Sequence, residues 1–243
     1  MGILGFLEIG RRIGIRRLRR DPEFAKARVS VVEGAVFGLL GLMIAFTFSG
    51  AASRFDARRH LIVEEANDIG TAWLRLELLP PADQPPLRDL FRTYLASRLE
   101  LYKRLADPAA MNAQLDRIEK LQKEIWTKAV VAVKASGDTR TTSLLLGSLN
   151  EMIDITTDRT MALQTHPPII IFAMLIFLAF AAALLAGVGM ASPTGRNWVH
   201  ELGFGLVLAA VVYVILDLEF PRFGLIRIDA VDQVLIDLLD SMK

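Results

Sequence analysis

Four residues at the end of the first long uncharged run carry chemistry by type and spacing. Ile44 and Phe48 stand four apart, so on a helix they share a face; Arg54 and Arg58 share a face further along. Repeated around a symmetry axis, rings of Ile44 and Phe48 would form an apolar constriction that closes by dewetting. Rings of Arg54 and Arg58 would form a positive vestibule that concentrates chloride or other small anions. Plainer uses compete: Phe46 and Phe48 can pack on neighbouring helices, and Arg54 can pair with Asp56 or Glu64 or anchor at lipid headgroups. A second set is Asp217 and Glu219 with Arg222 and Arg227, where carboxylates at the edge of an apolar segment are costly in lipid. We expect an ion-pair latch there. Glu33 is a third membrane-edge acid, on the opposite face. Glu64, Glu65, Asn67, Asp68 and Thr71 crowd two helical turns and read as a solvated or ion-paired face rather than a metal site, although oxygen ligands would suit Ca²⁺ or Mg²⁺.

Other chemistry is excluded or unsupported. The chain has no cysteine, which removes disulfides, thiol catalysis and cysteine metal sites together. His60, His166 and His200 are far apart in sequence and without partners at ligand spacing. No Gly-rich phosphate loop, GxSxG elbow or HExxH motif occurs, so we expect no enzyme, no catalytic residue, no metal and no cofactor. The formal net charge is +1, which gives no global field for nucleic acid.

The elements that must position these residues are helices. Residues 30–53 read as the first transmembrane helix, since beyond Glu33 they form an uncharged run of about 20 residues, long enough at 1.5 Å per residue to cross a bilayer. Gly34, Gly38, Gly41, Ala45, Ser49 and Ala52 give that run a small-residue face suited to close helix packing. It continues without a breaker into a soluble stretch, residues 54–166. Four amphipathic segments joined by Pro or Gly turns predict an antiparallel four-helix bundle there, continuous with the first two spans. Residues 167–190 and 198–217 read as the second and third transmembrane helices, and residues 218–243 as a closing motif and a short amphipathic helix. Residues 1–29 mix Ile, Leu and Phe with Arg11, Arg12, Arg16, Arg17, Arg19 and Arg20. They predict a basic amphipathic helix lying in the membrane interface, ended by Asp21-Pro22, with the amino terminus cytoplasmic by the positive-inside rule. The fold class is therefore an all-α membrane protein with three transmembrane helices and an extramembrane helical bundle.

The run EGAVFGLLGLMIAFTFSGAASRFDARRHLIVEEANDIGTAWLRLELLP (residues 33–80) and the later LDLEFPRFGLIRI (residues 216–228) resemble the signature motifs of a bacterial bestrophin-like membrane family. That resemblance implies a multi-pass protein of the bacterial inner membrane with a helical extramembrane domain, distantly related to oligomeric anion channels. The family layout would put the helical domain in the cytoplasm; the Arg cluster puts it on the opposite face, and we follow the charge. Together these readings predict a homo-oligomer in the lipid bilayer, conducting anions through a pore lined by the first span. The alternative is a non-conducting sensor or scaffold whose bundle binds a small ligand or a partner protein.

Overall fold

The structure is a computed structural model that describes residues 2–20, 31–104, 107–192, 195–222 and 224–243. The expected break at Asp21-Pro22 lies outside the described residues. Eight α-helices are described: α1 (Gly2–Arg20), α2 (Val31–Arg75), α3 (Gln84–Lys103), α4 (Pro108–Ser136), α5 (Thr139–Gln164), α6 (Ile169–Gly189), α7 (Trp198–Glu219) and α8 (Gln233–Ser241). A 3₁₀ turn, Leu76–Leu78, follows α2. No strand occurs among the described residues, and three helical segments are long and apolar enough to cross a membrane. The chain divides into two compact units, one of Met1–Phe55 with His166–Ile226, the other of Asp56–Thr165 with Arg227–Lys243.

Local chemistry sets the helix ends. α2 contains no proline in 45 residues, so nothing interrupts its hydrogen-bond ladder before the turn that precedes Pro80-Pro81. α3 begins at Gln84, inside the PPADQPP segment expected to be a loop, because Pro85 and Pro86 fall in the first turn, where no N–H is needed. Asp107 caps α4 by accepting from the backbone N–H of Ala109 and Ala110 at 3.0 and 3.2 Å. Gly137 closes α4 with φ +67°, a left-handed conformation that glycine adopts without steric cost, and Asp138 caps α5. Between α5 and α6, Pro167-Pro168 supply no N–H and hold the chain extended. These are two helices; the expected continuity into a span holds for α2 alone.

In the first unit, Leu40 and Ala51 of α2, Leu175, Ala179 and Ala182 of α6, and Leu208 and Ile215 of α7 share one apolar interior. α1 joins it through glycine. A methyl group placed on Gly10 would stand 2.0 Å from the Leu184 carbonyl oxygen, and one on Gly187 would stand 2.1 Å from that of Leu7. Contacts advance in the same direction along both helices, from Phe6 stacked on Phe180 at 4.7 Å to Gly14 against Val188 and Ala191. α1 therefore does not lie free in the interface plane as expected. Its apolar side is taken up by α6 because the glycine seam lets the two backbones touch.

In the second unit, apolar side chains from four helices are buried: Ile62 and Ile69 of α2, Phe91 and Leu95 of α3, Ile118 and Ile125 of α4, Leu149 and Met152 of α5. α8 adds a small cover on α3, with Leu235 buried and the Met242 carbonyl accepting from Arg92 Nε at 2.7 Å. A charged group sits inside this apolar unit. Glu65 is fully buried and accepts from Arg98 Nε at 2.5 Å and from Arg159 Nη1, while Tyr102 receives Arg98 Nη2 at 2.8 Å.

Two outcomes follow from this packing. Gly10→Ala should lower the unfolding free energy in detergent by about 1–3 kcal/mol, because its methyl group meets backbone. Gly5→Ala, on the same helix with open space around it, should stabilise by about 0.5–1 kcal/mol. Glu65→Gln should cost about 3–5 kcal/mol by leaving two buried guanidiniums without their carboxylate, whereas Glu100→Gln, an exposed partner of Arg104, should leave the transition unmoved.

Candidate functional site

At the end of the apolar run of α2, Arg54 turns its guanidinium onto Glu219, the last residue of α7. Nε and Nη2 donate to the carboxylate at 2.9 and 2.7 Å, a forked geometry that only arginine supplies. His166, two residues before α6, places Nδ1 2.8 Å from the other carboxylate oxygen and stacks its ring near Phe220 at 4.8 Å. Glu219 is completely buried, while the Arg54 side chain keeps 30 % exposure. The member of the pair that faces outward is thus the cation. An ionised carboxylate survives such burial because both oxygens receive donors.

The neighbouring acid works differently. Asp217 accepts from backbone, not from a cation: Leu225 N–H at 3.0 Å and Ile226 N–H at 2.7 Å. These two bonds fold the chain after α7 back on the helix end. Gly224 is required there, since a side chain on it would begin 1.2 Å from Asp217 Oδ1. Arg227 pairs with Asp229 at 2.7 Å, and Arg222 is half-buried in the turn. Of the expected latch, Asp217 anchors a turn, Glu219 binds Arg54 and His166, and Arg227 pairs with Asp229. The expected span boundaries put Arg54 just after the first span, His166 just before the second and Glu219 just after the third, all on one side of the membrane. Their convergence was the signal that the sequence reading did not use.

The four residues of the first site all lie on α2 and have different surroundings. Ile44 packs partly buried against the interior of the first unit. Phe48 is exposed, and so is Phe46. Arg58 is buried, with Nε donating to the Ala162 carbonyl at 3.0 Å and Nη2 to that of Thr165 at 3.1 Å. An arginine so committed does not line an open vestibule; it binds the carbonyls at the C-terminal end of α5, which have no partners within the helix. The small residues Gly34, Gly38 and Gly41 meet no atom of the described residues where a side chain would grow.

Two further charged groups complete the picture. Near the C-terminal end of α6, Arg196 reaches Glu201 at 2.6 Å and Glu8 at 3.3 Å, Glu8 also holds Arg11 and Arg12, and Arg196 lies over the Trp198 ring at 3.4 Å. In the second unit, desolvation together with Glu151 and Glu64 raises the Asp68 carboxyl above its ordinary value. Among the described residues, no group of three His, Asp or Glu is placed to hold a metal ion.

A family model described as the bestrophin-like domain matches residues 5–231. Solved structures of a bacterial bestrophin homologue from Klebsiella pneumoniae are similar in fold. One variant is 16 % identical with a TM-score of 0.73 over 99 % of this chain and 97 % of that one. Another structure of the homologue is 15 % identical with a TM-score of 0.72 over 98 % and 97 %. Among curated proteins no match is found. With nearly its whole length matched by one domain model, this all-helical membrane chain belongs to the bestrophin-like family.

Proposed function

We propose that the chain assembles with copies of itself into a ring in the bacterial inner membrane and conducts small ions, chloride among them, along an axis lined by α2. The carrying observation is the bare surface of that helix. Almost none of its spanning window is buried within one chain, although Gly34, Gly38 and Gly41 offer a face on which a second helix can approach closely. A span with both a small face and exposed aromatics at Phe46 and Phe48 suits a subunit that packs on a neighbour and points bulky side chains at a shared axis. Phe48 is the constriction in this reading. Arg54 supplies positive charge at the mouth, because its partner Glu219 lies buried behind it. The amino terminus is placed in the cytoplasm by its arginines. The family's channel character supports conduction, while ring size, anion preference and the lining are our reading.

Purified protein in liposomes should run as a closed oligomer and carry a chloride-dependent current. Phe48→Ala should raise its conductance severalfold without lowering the unfolding temperature, since the ring packs little within one chain. A monomer or dimer that folds normally and passes no current would defeat the proposal.

Arg54 needs a paired test because it is also structural. Glu219→Gln should cost about 3–5 kcal/mol of stability. Arg54→Gln should cost a similar amount and shift the reversal potential in a chloride gradient toward zero. The exchange Arg54→Glu with Glu219→Arg should recover part of the stability while leaving the selectivity reduced.

A further inference from the structure

The unit of Met1–Phe55 with His166–Ile226 contains a cavity that the proposed pore does not use. It holds about 460 Å³ and lies at the first turn of α1, walled by Ile3 and Leu4 of that helix, Ile176 and Phe180 of α6, and Leu206 and Val212 of α7. These walls are apolar, and Leu4, Ile176 and Leu206 are exposed along its open side. Its depth follows from the helices that form it. Phe180 stands near the middle of α6, eleven residues after Ile169 and nine before Gly189, so the cavity opens into the bilayer interior, where the surrounding medium is acyl chain rather than water.

The other end of the same groove is cationic. Leu4, Glu8 and Arg12 follow one another at four-residue spacing on one face of α1, so Arg12 lies about 12 Å from the cavity wall along that helix. The Arg12 side chain remains 70 % exposed although its Nε donates to Glu8 at 2.7 Å, and Arg16 and Arg19 continue the exposed face. Arg196, over the exposed Trp198 ring, reaches Glu8 at 3.3 Å and Glu201 at 2.6 Å. Among the described residues of α1 and the start of α7, Glu8 and Glu201 are outnumbered by Arg196 and the six arginines of α1, and this end is net positive. Along α7, Val212 lies fourteen residues from Trp198, about 21 Å, which is half the ~40–45 Å of a bilayer with its headgroup regions. An apolar slot and a cationic end set one leaflet apart match an amphiphile with its tail in the slot and an anionic head. We propose that the cavity takes one acyl chain of an anionic phospholipid, with the phosphate held at Arg12 and Arg196. The site does not depend on conduction along α2, and its test reads no current.

Delipidated full-length protein in detergent is titrated with phosphatidylglycerol and with phosphatidylcholine of the same acyl chains, and bound lipid per protomer is counted by native mass spectrometry. The expected result is one phosphatidylglycerol per protomer at saturation, with a midpoint about five- to tenfold lower than that of phosphatidylcholine, the preference that one or two arginines at the head supply. Ala209→Trp, at an exposed position of the cavity wall, should abolish saturable binding of both lipids without changing the unfolding temperature of the delipidated protein; should that variant fail to fold, Leu206→Trp takes its place. Arg12→Gln should bring the two midpoints together while the cavity still binds. Equal midpoints in the wild type, binding that does not saturate, or full binding by a folded Ala209→Trp overturns the proposal. A wild-type oligomer that binds no lipid and that Ala209→Trp dissociates puts a second copy of the chain in the cavity, and overturns it as well.

Discussion

A carboxylate removed from water must bring donors with it or give up its charge, and among the described residues three buried glutamates bring cations. Glu65 has Arg98 and Arg159, Glu219 has Arg54 and His166, and Glu201 has Arg196 with Arg11 nearby. Each of the three reaches at least one partner far away in sequence, so each one fixes a tertiary contact that apolar packing alone leaves free to slide. Apolar side chains can exchange neighbours at small cost; a buried carboxylate cannot. The helix crossings at these three points are thereby specified by charge, and the surrounding Leu, Ile and Phe fill in around them.

α2 is where these constraints accumulate. It carries Arg54 and Glu65 within one uninterrupted helix of 45 residues, and eleven positions separate them, close to three turns. With no proline in that length, nothing breaks its hydrogen-bond ladder between the apolar run and the charged segment.

Much of the architecture was legible in the residues: the three apolar runs, the all-helical class and the Pro and Gly turns between helices all follow from periodicity and local chemistry. What remained hidden was pairing between distant segments. Arg54 has Asp56 and Glu64 as its nearby acids in sequence, neither at a spacing of three or four, and nothing local names Glu219 as its partner. His166 looked solitary because its partner lies 53 positions away. Asp217 and Glu219 sit two apart and look alike, yet opposite helix faces give one backbone amides and the other a guanidinium. The start of α3 was misplaced for another reason, since proline stops a helix in its interior but suits its first turn. α1 was misread because a glycine seam has no signature until the facing helix is known.

That seam bears on the order in which the protein is made. α1 leaves the ribosome before α6, and the helix against which Gly10 and Gly14 close is completed roughly 170 residues later, a delay on the order of ten to thirty seconds at ordinary rates of synthesis. Throughout that interval an apolar segment with arginines along its far end has no partner of its own. The lipid surface is the natural holding place, with the apolar side chains in the acyl boundary and the arginines among headgroups. The glycines that let the two backbones touch therefore act only once α6 has been made, so the seam closes late in synthesis.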